Sequence, residues 1–206
     1  MKVLLINGSP EVNGNTAFAL EQMAEVFASK GVETETIQVG SELIRGCTGC
    51  GSCYKTKQCV FDDAVNETAR KLPEYDGIVI GSPVYYASPN GTLLSFLDRL
   101  FYSSGSVDKR MKVGASVVVA RRGGCSASLD VLNKYFTISG MPVASSTYWN
   151  MIHGAKPGEA SQDAEGIRTV RNLAKNMIFL MDAISREKNA AGLPEPEPKA
   201  FTNFIR

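Results

Sequence analysis

The sequence predicts an α/β fold: a doubly wound, five-stranded parallel sheet in the order 2-1-3-4-5, with helices on both faces. Three observations predict it. Short apolar runs alternate with longer amphipathic stretches along the chain, polar Gly-containing loops follow the first, third and fourth runs, and no internal repeat interrupts the pattern. Strands joined by helical crossovers form a parallel sheet. Ligands then sit beyond the strand C-termini, where strands one and three diverge.

The elements follow in order. Residues 2–6, with Val3-Leu4-Leu5-Ile6, make strand one, and residues 15–29 make helix one, with Ala19, Met23, Val26 and Phe27 on one face. Gly31 ends that helix and residues 33–39 are strand two. Residues 40–60 form a long loop rich in Cys and Gly. Asp62 and Asp63 open helix two, residues 62–72, at the end where acids are favoured. Strand three is Gly77-Ile78-Val79-Ile80, apolar as a central parallel strand is. After the loop 81–91 comes helix three, residues 92–102, with Leu93, Phe96, Leu97 and Leu100 inward. Residues 113–120 are strand four, 121–124 a third loop, 126–138 helix four and 141–146 a short strand five. Residues 147–157 are irregular and 162–186 form a long last helix. The expected organisation is one domain, residues 1–186, and an extended tail, residues 187–206.

Composition narrows the function classes. A chain of 206 residues, 44% hydrophobic, buries a full core. A net charge of +1 offers no surface for nucleic acid and no polybasic membrane patch. The first apolar run is too short for a signal peptide and no run approaches a membrane span. Five cysteines, four of them clustered, argue against a secreted disulfide scaffold. A cytoplasmic protein is expected.

The stretch Asn7-Gly8-Ser9-Pro10-Glu11-Val12-Asn13-Gly14-Asn15-Thr16 joins strand one to helix one. Its glycines permit a tight turn, its short polar side chains donate hydrogen bonds, and the helix N-terminus points into it. The loop lacks the glycine spacing of a dinucleotide site and the Lys of a nucleoside-triphosphate site. Neutral donors suit a single phosphomonoester, as in FMN; the plain alternative is a capped helix after a Gly turn.

The second loop reads Gly81-Ser82-Pro83-Val84-Tyr85-Tyr86-Ala87-Ser88-Pro89-Asn90-Gly91. Prolines stiffen it, and Val84, Tyr85 and Tyr86 offer apolar and aromatic surface to a flat flavin ring; the alternative is a rigid turn whose tyrosines only pack. The third loop, Arg121-Arg122-Gly123-Gly124, sets positive charge beside backbone freedom. An Arg there suits the N1/O2 edge of a reduced flavin or the 2′-phosphate of NADPH; otherwise it is a solvated pair.

Together, Gly-Ser-Pro…Gly-Asn-Thr, then Gly-Ser-Pro-Val-Tyr-Tyr, then Arg-Arg-Gly-Gly, in this order, resemble the NADPH-dependent FMN reductase and iron–sulfur flavoprotein branch of the flavodoxin-like superfamily. The likeness covers residues 1 to 185. It implies a flavodoxin-like fold, non-covalent FMN reduced by NAD(P)H, and a flavin near the interface of a homodimer or homotetramer. It also implies that Ser9, Asn15 and Thr16 hold the phosphate, that Pro83, Val84 and Tyr85 line the ring, and that Gly123 and Gly124 border its far edge.

The most distinctive spacing is Cys47-x2-Cys50-x2-Cys53-x5-Cys59. Four thiolates this close can gather round a [4Fe–4S] cluster, with glycines between them letting the backbone fold inward. Zinc, reduced thiols and an oxidation-formed disulfide are the alternatives. The iron–sulfur flavoproteins carry a compact motif of this kind in the same loop. Cys125, at a helix start, reads as a packed residue.

His153, the only histidine, lies in an aromatic segment with Tyr148 and Trp149 and reads as a structural, interface or pocket-wall residue. No Ser-His-Asp set or carboxylate pair has a recognisable frame, so no acid–base residue is named. The tail, with Phe201 and Phe204, is expected to dock on its own subunit or a partner. The expected activity is an NAD(P)H-dependent flavin oxidoreductase passing electrons to a quinone, nitro or azo compound, free flavin or a redox protein. The alternative is an iron–sulfur electron carrier with its cluster beside FMN.

Overall fold

A computed structural model describes residues 1–198, 200–202 and 204. Five parallel strands form the sheet: β1 (Lys2–Asn7), β2 (Glu33–Gln38), β3 (Gly77–Tyr85), β5 (Val113–Ala120) and β6 (Met151–His153), in the order β2-β1-β3-β5-β6. A two-residue strand, β4 (Ser88–Pro89), pairs antiparallel with the end of β3. Among the parallel strands the order is the expected 2-1-3-4-5.

The pleat decides the layers. Val3 and Leu5 on β1 face one way and Leu4 and Ile6 the other, because successive side chains alternate. The first face packs on α1 (Asn15–Ser29) and α6 (Ala164–Ala191) through residues such as Met23, Phe27, Leu173 and Met177. The second packs on α3 (Ala64–Lys71), α4 (Gly91–Ser103) and α5 (Cys125–Ile138) through Val65, Phe96, Leu97 and Phe136. Every residue of β5 is buried, as a central strand covered on both faces requires. Gly114 on that strand makes room for Phe136, since a Cβ there would lie 2.4 Å from its ring. A short helix, α2 (Ser52–Thr56), interrupts the cysteine loop.

Three expectations are corrected. Residues 141–146 do not form strand five. Val143 makes a single bridge to Gly114, and the bonds there run from the Gly114 N–H to the Pro142 carbonyl at 2.9 Å and from the Ala144 N–H to Gly114 at 2.8 Å. Pro142 has no N–H to extend the ladder, and Ser145 and Ser146 turn instead to Asn176 and Thr169 on α6. The chain rejoins the same edge at β6, where Met151 stands opposite Val118. The second correction is β3, which does not stop at Ile80 but runs on to Tyr85 and doubles back as a hairpin. The last helix also begins and ends later than expected, at Ala164 and Ala191. Among the described residues no helix is long and apolar enough to cross a membrane.

Candidate functional site

The C-terminal ends of β1, β3 and β5 open on a cavity of about 310 Å³. Its wall includes Ser9, Asn15 and Thr16 from the first loop, Pro83, Val84 and Tyr85 from the second, and Arg121 from the third. Gly154, Ala155 and Pro157, after β6, close the remaining side.

The first loop is built by backbone hydrogen bonds and close approach. The Gly8 N–H donates to the Gly81 carbonyl at 2.8 Å, and a Cβ on Gly8 would meet Leu93 at 2.4 Å. Ser9 is buried; its Oγ accepts the Glu11 N–H at 3.1 Å while its own N–H bonds Asn7 Oδ1 at 3.0 Å. Gly14 supplies no side-chain cap to α1, and the first turn of α1 carries no acid. The end of α1 therefore presents N–H groups and a positive dipole to the cavity, the arrangement that accepts an anion. Thr16 is buried, lines the cavity and sets its methyl toward Gly81. Asn15 behaves differently: its side chain bonds the Lys156 carbonyl at 2.9 Å and the Ala160 N–H at 3.2 Å, tethering the 154–160 loop.

The second loop is a hairpin rather than an open loop. Tyr86 and Ala87 form its tip at φ 50° and 58°, a left-handed conformation that costs non-glycine residues energy. The base is locked by the Asn90 N–H to Ser82 Oγ bond at 3.0 Å and by Asn90 Oδ1 capping α4 at Thr92. Tyr86 is fully exposed and lies outside the cavity wall, whereas half-buried Val84 lines it. Gly124, at φ 91°, fits under the tip; a Cβ there would sit 2.7 Å from Ala87 Cα and 3.0 Å from Val84 Cγ1. Gly124 thus supports the hairpin from below, and exposed Gly123 and Arg122 stand at the rim of the third loop. His153 is exposed, its ring Nδ1 3.2 Å from the Ala120 carbonyl. Trp149 packs on Tyr148 at 5.3 Å and is exposed.

The cysteine loop occupies a second place. Cys47, Cys50, Cys53 and Cys59 line one small cavity of about 20 Å³, together with Arg99, Tyr102 and Ser103 of α4. Among the described residues, no three potential ligands converge closely enough to hold a metal ion in this arrangement. Cys47 and Cys50 are exposed, and Cys53 and Cys59 are half-buried. The Ser52 side chain and N–H hold the Cys50 thiol below its ordinary pKa. Cys125 stands apart, buried, with its thiol pKa pushed up by that burial. Tyr54 and Tyr102 share a hydroxyl–hydroxyl bond that joins α2 to α4 and pushes the Tyr102 pKa up to about 12.

Sequence reasoning missed Arg99. Among the described residues it is the bulkiest fully buried side chain, and it anchors the loop by bonds to Asp63, Phe61, Arg45 and Cys59. The one available signal was a cation inside the apolar stretch Phe96-Leu97-Asp98-Arg99-Leu100.

The profile of the NADPH-dependent FMN reductase family matches residues 1–156, which carry all three cavity loops. The chain belongs to that family. An iron–sulfur flavoprotein of Methanocaldococcus jannaschii is 32% identical over 193 residues, covering 90% of this chain and all of the relative. The fold is that of flavodoxins: an archaeal flavodoxin superposes with a TM-score of 0.55 at 18% identity, over 86% of this chain and 99% of that one. An NAD(P)H:quinone oxidoreductase of Methanothermobacter marburgensis superposes at 0.65 and 16% identity, over 86% and 96%. This FMN reductase family member is accordingly a flavodoxin-like protein of a flavin-dependent oxidoreductase family, in its iron–sulfur flavoprotein branch.

Proposed function

We propose that the protein is an NAD(P)H-dependent FMN oxidoreductase whose flavin exchanges electrons with a [4Fe–4S] cluster on Cys47, Cys50, Cys53 and Cys59. The observation that carries the flavin half is the single cavity bounded by all three decorated loops. At about 310 Å³ it is of a size for one phosphate and one flat ring. The α1 N-terminus and the Ser9 and Thr16 hydroxyls would hold the phosphate. Pro83, Val84 and Tyr85 would cover one ring face, with Tyr86 at the hairpin tip beyond them. Gly123 and Gly124 would border the far edge, and Arg121 would place positive charge at the rim, favouring the anionic reduced ring or a second phosphate. Asn15 would act mainly by holding the 154–160 loop against the site.

For the cluster, the donor set fits: four cysteines face one cavity, no carboxylate or histidine lines it, and thiolates are the ligands of Fe–S centres. The cavity is too small for four irons as it stands, so loading requires the 47–53 turn to move outward. Gly49 and Gly51, already at φ 65° and 71°, give that turn its freedom. The names of the similar proteins support the same reading. When bound, FMN supplies two-electron uptake from a hydride and one-electron release, and the cluster supplies one-electron relay. The protein's own part is to bind, orient and shield these groups. A homodimer or homotetramer, a cytoplasmic setting, and a quinone, nitro or azo acceptor or a redox protein complete the proposal. The chain after Ala191, where α6 ends, is proposed as an extension outside the domain; Phe201 and Phe204 are exposed, and Lys199, Asn203, Ile205 and Arg206 lie outside the described residues.

The test is anaerobic purification followed by absorbance, flavin and iron analysis, and turnover with NADPH or NADH and a quinone. FMN, about four irons per chain and turnover are expected. Cys53→Ala should lose the iron and keep the flavin. Protein replete with FMN, free of iron and fully active would leave a plain flavin reductase; FAD in place of FMN would overturn the flavin half.

A further inference from the structure

We infer that Arg99 and Ser103, one turn apart on α4, form a donor wall that holds Cys59 and raises the reduction potential of the cluster. This inference rests on the cluster reading above and goes beyond ligand identity.

Arg99 has no solvent exposure on its side chain. A buried guanidinium is costly unless every donor is used. Here all are: Nη1 meets Asp63 Oδ2 at 2.7 Å and the Arg45 carbonyl at 3.4 Å, and Nη2 meets the Phe61 carbonyl and Asp63 Oδ1, both at 3.0 Å. The fifth donor, Nε, points at Cys59 Sγ at 3.2 Å. A pair with Asp63 alone would not need that last contact. Asp63 is fixed in turn, since its carboxylate caps α3 at the Val65 N–H at 3.0 Å. The sulfur of Cys59 is therefore held by a rigid, hydrogen-bonded frame rather than by loop backbone alone.

Ser103 supplies the independent observation. It lines the same cavity as the four cysteines, it is 4% exposed, and its buried hydroxyl has no hydrogen-bond partner among the described residues. Buried hydroxyls are ordinarily paired. A cluster sulfur or cysteine thiolate in that cavity is an acceptor of the kind it lacks.

The electrostatics define the effect. Arg99 and Asp63 cancel in net charge, so what reaches the sulfurs is the Nε–H and O–H dipoles. Reduction adds one electron and no proton, and much of the added charge rests on sulfur. Hydrogen bonds to sulfur favour that state and raise the potential. Removing a donor therefore makes the cluster harder to reduce.

Wild type, Ser103→Ala and Arg99→Lys are purified without oxygen and titrated potentiometrically by EPR, with iron and flavin assayed on each. The lysine can serve Asp63 or Cys59 but not both. Ser103→Ala is expected to keep its iron and shift the reduction equilibrium toward the oxidised cluster, by up to tenfold (~59 mV for one electron). Arg99→Lys shifts it in the same direction. Iron-free Ser103→Ala unfolds at or above the wild-type temperature, because the hydroxyl has no partner to lose. Full iron with wild-type potentials in the variants overturns the inference and leaves the cluster standing. Iron-free wild type overturns the cluster reading and the donor wall with it. If Arg99→Lys does not fold, the potential of Ser103→Ala alone decides.

Discussion

Asn15 Nδ2 donates to the Lys156 carbonyl at 2.9 Å, tying the first residue of α1 to a loop 141 residues further along the chain. The same amide accepts from the Ala160 N–H, so this side chain spends its hydrogen bonds on the wall of the cavity. Asn15→Ala is expected to destabilise the protein by about 1–2 kcal/mol, the scale of the bonds lost. It should weaken FMN less than a change at Thr16 does. Thermal unfolding beside a flavin titration checks both halves; a large loss of affinity with unchanged stability would return Asn15 to the phosphate.

Thr16 brings a hydroxyl to the cavity wall at the start of α1. Thr16→Ala should weaken FMN by about 2 kcal/mol, a hydrogen bond to a charged group, or roughly thirtyfold in Kd. Thr16→Ser keeps the hydroxyl and should bind nearly as wild type. Equal dissociation constants for the alanine variant and wild type, measured by fluorescence quenching, would show that the hydroxyl points elsewhere.

Gly124→Ala attacks the hairpin from below. The added methyl would meet the Ala87 backbone at 2.7 Å, at a φ of 91° that alanine resists. A stability loss of more than ~1 kcal/mol is expected. The tip should also be displaced, weakening flavin. Unchanged unfolding and unchanged affinity together would show that the tip yields freely.

Glu35 gives a pH signature. It lies 2.6 Å from Lys71 and 3.0 Å from Lys2. Chiefly Lys71, then Tyr75 and Lys2, lower its pKa from 4.5 to about 2. A carboxyl depressed by folding adds stability that is present above the unfolded value and is lost as pH falls through the folded one. The window runs from pH 4.5 down to 2. Lys71 is half exposed, so solvent screening limits the effect to below ~1 kcal/mol. Glu35→Gln should unfold slightly earlier at pH 7 and lose less stability than wild type across that window. Parallel acid curves for the two proteins would remove Glu35 from the account.

What the sequence made legible follows the periodic elements. Helix α1 begins and ends where Gly14 and Gly31 place it, and β5 spans the Val-rich run 113–120, because burial on both faces leaves an unbroken apolar signal. Residues 141–146 read as a strand because Met141 and Ala144 are apolar and buried and Val143 is apolar and half-buried, yet Pro142 denies them a ladder. Its true successor, Met151–His153, is three residues between polar neighbours and carries too short a pattern. The cavity loops were readable from glycine, proline and hydroxyl content. Asn15's tether and Arg99's clamp were not, since each joins residues far apart in the chain and neither partner advertises the other.

Helix α4 has a consequence as a ruler. Asn90 caps its start beside the flavin-side hairpin, and Arg99 grips Cys59 nine residues later, about 13 Å along the axis. The distance from the hairpin to Cys59, the proposed ligand that Arg99 holds, is thus written into the length of one helix. A single residue inserted between Asn90 and Arg99 would rotate everything beyond it by about 100° and lengthen the span by about 1.5 Å. The cysteines would then face a different side of the helix while the phosphate loop stayed intact. Chain length within α4 therefore fixes where Cys59 sits relative to the hairpin.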